Sequence, residues 1–226
     1  MSTIDWTQYV DAIYCMHCDT YQSRMPRLEE ELKKVDILGS PIFQYWTTHP
    51  DPSLYEKIDK MDPSHPDFHN DRRQVATQIT FAYYDMFRML KEQGYDKVLI
   101  CEDDVVFHPD KSRLIGSLEH LPPDWDFIQF DRIFTPEFEH YLSSCEPYNG
   151  WFYQNYTGGY WGTAFTFWSK EAIKTAVDVL STEFVPSDYI LINRDDPKIG
   201  HLKRYIPTRY IVHQLDQDGR YYPSFF

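Results

Sequence analysis

The sequence is poor in positive charge. Twenty-two Lys and Arg stand against thirty-five Asp and Glu, a net charge of -13. Nucleic acid and anionic membrane surfaces are bound through clustered Lys and Arg, so the charge argues against both as partners. Cysteine is also sparse: four in 226 residues is too few for a disulfide framework in a chain of this size. Cys15 and Cys18 form a C-x-x-C with no second pair, and Cys15 lies in a strand-like run, so reduced, mostly buried thiols are expected. No apolar run has the length of a membrane span, and MSTIDWTQYVDAIYC lacks a signal-peptide core. A cytoplasmic protein is expected, in which the sequon Asn155-Tyr156-Thr157 is idle. No repeat or linker divides the chain, so residues 1–226 are expected to form one domain.

What is abundant is apolar and aromatic. The hydrophobic fraction is 42% and the aromatic fraction 17%, enough for a sizeable core. VDAIYCM (10–16) has the pattern of a buried strand, and PRLEEELKKVDI (26–37) that of a helix with Pro26 in its first turn. SPIFQYW (40–46) is a second strand, and 47–73 a long loop carrying His49, His65 and His69. From Arg73 to Gln93 apolar residues recur at helical spacing (Val75, Ile79, Ala82, Tyr83, Met86, Met89, Leu90), and Gly94 ends the helix. Further strands are expected at KVLIC (97–101), WDFIQFD (125–131), YWGTAFTFW (160–168) and RYIVHQL (209–215). LIGSLEHL and SKEAIKTAVDVL (169–180) are helices, the latter with Ser169 as N-cap, and 132–157 is irregular. Alternating strands and helices imply an α/β sandwich around a mostly parallel sheet.

The segment KVLICEDDVVF (97–107) places Glu102, Asp103 and Asp104 at the end of a buried strand. In open α/β sheets, ligands bind outside the carboxyl ends of strands. Residues i and i+2 of an extended chain point the same way, so Glu102 and Asp104 share one face and Asp103 takes the other. Two close carboxylates stay ionised together when a cation lies between them, and hard oxygen ligands suit Mn²⁺ or Mg²⁺. The plain alternative is a solvated acidic turn. A receiver-like domain also carries an acidic pair at a strand end. There, however, the pair opens the domain, and here Asp131 follows too soon to be the phosphoacceptor.

Several segments, in order, resemble the family 25 glycosyltransferases, the lipooligosaccharide and collagen galactosyltransferase group. They are IYCMHCDTYQSRMPRLEEEL, MLKEQGYDKVLICEDDVVF, LPPDWDFIQF, GTAFTFWSKEAIKTAVDVL, VPSDYIL and IPTRYIVHQ. Two departures mark a divergent member. His17-Cys18 stands where the family's first strand ends Asn-Leu, and Phe81-Ala82-Tyr83 stands where it has Leu-Ser-His. The resemblance implies a GT-A-like (Rossmann-like) fold and a metal-dependent inverting glycosyltransferase. Such an enzyme moves galactose or glucose from UDP-galactose or UDP-glucose to a hydroxyl of a glycan, lipid-linked saccharide or protein.

That chemistry assigns roles. Asp104 and Glu102 ligate the metal, and Asp103 meets the ribose or sugar of the donor. His213 is either a further ligand, as a late His is in this fold class, or a hydrogen-bonded strand histidine. Asp188, in Val185-Pro186-Ser187-Asp188, is either the general base or a helix N-cap, and the resemblance favours the base. Gly158, Gly159, Gly162 and Thr163 lie in a stretch where small residues admit a donor closely, or simply make a turn. Arg24 contacts the nucleotide or is solvated at a helix start. The non-enzymatic alternative is a nucleotide- or sugar-binding module. Asp195 and Asp196 form a second acidic pair, expected in a solvated loop.

Overall fold

Strand β1 (Ala12–Cys18) is buried along nearly its whole length. A strand buried on both faces needs a layer on each side of its sheet. The alternation of its side chains defines those layers. Ile13 and Cys15 join Leu28 and Leu32 of helix α1 (Met25–Lys34) and Leu114 and Leu118 of α3 (Ser112–Glu119). Ala12, Tyr14 and Met16 face Tyr83, Met86, Phe87 and Leu90 of α2 (Arg73–Gln93) and Ala172, Ile173 and Ala176 of α4 (Lys170–Thr182). This computed structural model describes residues 3–48, 73–132, 145–154, 162–182, 185, 187, 190 and 195–214.

The main sheet has eight strands in the order β2-β1-β3-β9-β5-β10-β8-β7. They are β2 (Phe43–Thr48), β3 (Lys97–Glu102), β5 (Phe127–Gln129), β7 (Glu146–Asn149), β8 (Phe152–Gln154), β9 (Phe165–Ser169) and β10 (Arg204–Pro207), with β1. Only β8 and β9 run against the rest. The expected α/β sheet, mostly of one direction and flanked by helices, is therefore present. A second sheet of three strands, β4 (Val105–Phe107), β11 (Val212–Gln214) and β6 (Asp131–Arg132), adjoins it. Among the described residues, the chain passes from the large sheet to the small one at three places: β3 to β4 through Asp103 and Asp104, β5 to β6 through Phe130, and β10 to β11 through residues 208–211.

Strand β1 pairs in parallel with β2 on one side and β3 on the other. Helix α1, leading to β2, covers one face; α2, leading to β3, covers the opposite face. The connections thus diverge between β1 and β3, opening a crevice at their carboxyl ends. Cys18 and Glu102, the last residues of these strands, deliver the following chain into it.

The helix over 73–93 has the expected bounds, and Gly94 closes it at φ 74° with its N–H on Leu90 O at 3.1 Å. Its inward stripe is rotated from the expected one: Phe87 is buried and Ile79 is 37% exposed. Ser169 caps α4 as expected, its Oγ accepting the Ala172 N–H at 3.1 Å. The four cysteines are free, with Cys15, Cys101 and Cys145 buried. Cys15 lies opposite Cys101, and the hydrogen bond between them, with burial, pushes the Cys15 thiol well up. Part of 132–157, expected to be irregular, forms the β7–β8 hairpin, and β10 was not expected as a separate strand. The last strand is shorter than 209–215. Asp195 is exposed and Asp196 caps a turn, accepting the Lys198 N–H at 2.8 Å, as a solvated loop requires. Among the described residues no helix is long and apolar enough to cross a membrane. His49, His65 and His69 lie outside the described residues.

Helix α3 meets the hairpin through Gly116, where a Cβ would stand 2.1 Å from Cη2 of Trp151. Trp151 cannot easily yield. Its ring stacks on His120 at 5.0 Å, Arg209 lies 4.6 Å from it, and its N–H binds Asn149 Oδ1 at 2.8 Å. Helix propensity alone would make Gly116→Ala stabilising by about 1 kcal/mol. The clash is expected to win, with a net loss of about 1–3 kcal/mol in urea unfolding. A more stable variant would show that Trp151 is loosely held.

Candidate active site

The three acids separate as the alternation requires. Glu102 and Asp104 meet on one side, where the Gln214 Nε2 donates to Asp104 Oδ2 at 3.0 Å and to Glu102 Oε2 at 3.3 Å. Gln214 arrives from β11, opposite Val105, so the strand after the acids holds the residue that bridges them. The second oxygen of Glu102, Oε1, accepts from the Tyr83 hydroxyl at 2.7 Å and from Thr163 Oγ1. Tyr83 also lies 3.1 Å from the Thr163 carbonyl. Tyr83, on α2, thus fixes the orientation of Glu102.

Asp103 turns the other way and is 6% exposed. Its Oδ1 accepts from Arg24 at 2.7 Å, and its Oδ2 accepts from His17 Nδ1 at 2.9 Å. A carboxylate partner assigns the proton to Nδ1. Arg27 holds the turn itself: one nitrogen donates to the Asp103 carbonyl at 2.8 Å and the other to the Val105 carbonyl at 3.0 Å. The Arg24 guanidinium lies over Tyr21 at 4.4 Å and keeps 31% of its side chain exposed. Asp103, expected to meet the donor, thus has both oxygens engaged by protein groups. Arg24, expected at the nucleotide, is held beside the triplet and open to solvent.

Asp104 is half-buried, but its Oδ1 is shut off from solvent and accepts no hydrogen bond among the described residues. An anionic oxygen in that setting is costly. Burial pushes the Asp104 carboxyl up to about 6, the Gln214 hydrogen bond opposing the shift and the Asp103 charge adding to it.

Gly162 has φ 133°, a conformation that favours glycine, and a Cβ there would lie 2.3 Å from Asp131 Oδ2. Its carbonyl accepts from Gln129 Nε2 at 2.8 Å. Asp131 is fully buried, its Oδ1 accepting the Phe165 N–H at 3.1 Å. Gly162 and Thr163 therefore pack beneath the triplet, with Thr163 supporting Glu102. His213 lies in β11 opposite Val106 and Arg132, is 4% exposed, and has its ring 6.2 Å from that of Tyr210. Among the described residues, no three His, Cys, Asp or Glu side chains gather at metal-binding spacing. His213 accordingly does not join Glu102 and Asp104 in such a group. Asp188, Gly158 and Gly159 lie outside the described residues.

Sequence reasoning missed His17, Arg27, Tyr83, Asp131 and Gln214 as parts of the site. Gln214 sits 112 residues from Glu102 in the chain, and no local pattern announces that contact.

No family model and no curated protein matches the chain. Solved structures resemble it in shape. A glycosyltransferase involved in glycosylation of the major capsid of PBCV-1 aligns at TM-score 0.49 and 10% identity, over 91% of this chain and 93% of that one. Mouse xyloside xylosyltransferase 1 aligns at 0.45 and 7% identity, over 93% and 99%. The galactosyltransferase LgtC, solved with donor and acceptor sugar analogues, aligns at 0.35 and 15% identity, over 71% and 58%. Each superposition falls below a TM-score of 0.5, so the chemistry has to come from the side chains described above.

Asp104 makes the metal-free protein sensitive to pH. Its folded value of about 6 lies above the ordinary 3.8, so the folded state binds the proton more tightly than the unfolded chain. Its contribution to stability is complete below pH 3.8 and is lost as pH rises through about 6. Asp104→Asn removes this loss. In chelator at pH 7 the variant is expected to be more stable than the parent, by on the order of 1–3 kcal/mol, with the gap closing toward pH 4. Equal or lower stability at pH 7 would mean that the carboxylate is well solvated.

Proposed function

We propose that this chain is a glycosyltransferase that uses a nucleotide-sugar donor and a divalent cation. The observation that carries the reading is the division of the acidic triplet at the β1/β3 crevice. Glu102 and Asp104 converge there with a buried anionic oxygen that no protein donor meets, while Asp103 holds Arg24 alongside. A buried carboxylate oxygen of this kind is what a hard cation satisfies. In a chain of net charge -13, a cation also removes the repulsion toward a diphosphate.

The cation, Mn²⁺ or Mg²⁺, would be held by Glu102 and Asp104 and would act as a Lewis acid on the leaving diphosphate. Mg²⁺ in particular is often held by one or two carboxylates with substrate phosphate and water completing its shell, so the pair suffices without His213. Arg24, anchored by Asp103 and partly exposed, is suited to a phosphate or nucleotide oxygen. Arg27 fixes the turn through its carbonyls and so sets the separation of the carboxylates. Asp188 would take the proton from the acceptor hydroxyl. Ser187 and Ile190 are buried, and Arg204 donates to the Ile190 carbonyl at 3.3 Å. A single base fits an inverting, in-line displacement. The family 25 resemblance favours a UDP-hexose donor, galactose or glucose, and a hydroxyl of a glycan or protein as acceptor. It also favours Gly158 and Gly159 beside the donor, and a cytoplasmic enzyme.

Calorimetry with UDP tests the reading. Heat of binding is expected with Mn²⁺ and is expected to vanish in chelator. Asp188→Asn is expected to bind UDP like the parent and to lose on the order of a hundredfold or more in transfer rate. UDP binding that ignores the metal would remove the reason given for the triplet. A fully active Asp188→Asn would exclude Asp188 as base.

A further inference from the structure

Gln214 stands at the meeting point of Glu102 and Asp104 with its amide oriented nitrogen-first. Its Nε2 donates to one oxygen of each carboxylate, at 3.3 and 3.0 Å. Its Oε1 is buried and accepts no hydrogen bond. Asp104 Oδ1, on the same carboxylate that Gln214 bridges, is likewise buried and accepts none. One small cluster therefore holds two oxygens that both lack a donor. A hydrogen-bond network that satisfies one end of an amide and leaves the other end bare is suited to a second orientation.

We infer that Gln214 is a ligand of the divalent cation, exchanging its amide N–H for its amide oxygen when the ion binds between Glu102 and Asp104. The inference rests on the metal-dependent reading of this site and names a ligand for it that the acidic motif does not contain. Without the ion, the two N–H bonds of Gln214 hold together carboxylates that repel each other. With the ion, the repulsion is gone, and the bridging position calls for a neutral, hard oxygen. Rotation of the amide by about 180° supplies it, and an amide carbonyl is an ordinary oxygen ligand for such cations.

The surroundings accommodate the turned amide. Gln214 Oε1 points toward Gly162, where a Cβ would stand 3.5 Å from it and 2.3 Å from Asp131 Oδ2. The absence of a side chain at Gly162 leaves the amide and the Asp131 carboxylate bordering the same stretch of backbone. After rotation, Nε2 takes the side now occupied by Oε1, which borders the backbone at Gly162 that the Asp131 carboxylate also borders. The β11 register keeps the side chain in reach throughout, because Gln214 is fixed opposite Val105, the residue next to Asp104.

The test is Mn²⁺ binding by the full chain, read from the electron paramagnetic resonance of the free ion, with and without UDP. The parent, Gln214→Leu and Gln214→Glu are compared, with melting temperatures recorded in chelator. Gln214→Leu is expected to weaken Mn²⁺ binding at least about tenfold. Gln214→Glu keeps an oxygen ligand and adds charge. It is expected to bind Mn²⁺ as tightly as the parent or more so, and to melt lower than the parent in chelator, where three carboxylates then meet. Parental Mn²⁺ affinity in Gln214→Leu overturns the inference while leaving the metal site standing. Should Gln214→Leu fail to fold, a Gln214→Glu that binds Mn²⁺ more weakly than the parent overturns it equally. A parent that binds no Mn²⁺ overturns both the inference and the metal-dependent reading beneath it.

Discussion

Three consecutive carboxylates cannot share one environment at the end of a buried strand. Their mutual repulsion and the cost of desolvation are both too large. Backbone alternation resolves the conflict by sending Asp103 to one side and its two neighbours to the other. Asp103 is neutralised by Arg24 and hydrogen-bonded by His17. Glu102 and Asp104 receive the neutral donors Tyr83, Thr163 and the Gln214 amide, and Arg24 and Arg27 act on Asp104 through space. This asymmetry is the feature on which the functional reading depends. Asp103 has its countercharge in direct contact, whereas the Asp104 carboxyl is raised by burial despite the through-space pull of Arg24 and Arg27, and there a cation from outside would act most strongly.

The two sheets make the asymmetry possible. Within the large sheet, β3 continues the parallel unit of β1 and β2 and ends at the crevice. The small sheet then takes over the chain at Val105, and its central strand β11 brings Gln214 to the acids. The β5-to-β6 passage delivers Asp131 to the same region, beneath Gly162. Glu31, buried on α1, ties the small sheet down by accepting the Phe107 N–H at 2.9 Å. Among the described residues the site is therefore assembled from six stretches of chain, around His17 to Arg27, Tyr83, the triplet, Asp131, Gly162 and Gln214, and Arg27 holds the turn by its carbonyls.

Much of this was legible in the residues. The helix over 73–93 could be bounded because its apolar spacing is long and Gly94 stops it. The division of the triplet followed from strand geometry alone. The β7–β8 hairpin was not legible, because Glu146, Pro147 and Tyr148 are exposed and show no apolar alternation. Strand β10 was hidden by Arg204, a charged residue that is 2% exposed because its guanidinium donates to the carbonyls of Leu202, Ile199 and Ile190. The supporting shell of the site was hidden for a different reason. His17, Tyr83 and Gln214 reach the acids across long stretches of chain, and a contact of that kind leaves no trace in local spacing.

The most direct test of the divided triplet is the position of the cation itself. Crystals grown with Mn²⁺ and UDP, and measured at the manganese absorption edge, would give an anomalous difference map. The account predicts one strong peak between the carboxylates of Glu102 and Asp104, with Asp103 still paired to Arg24. A peak coordinated by Asp103, or no peak at the triplet in crystals that contain UDP, would contradict it.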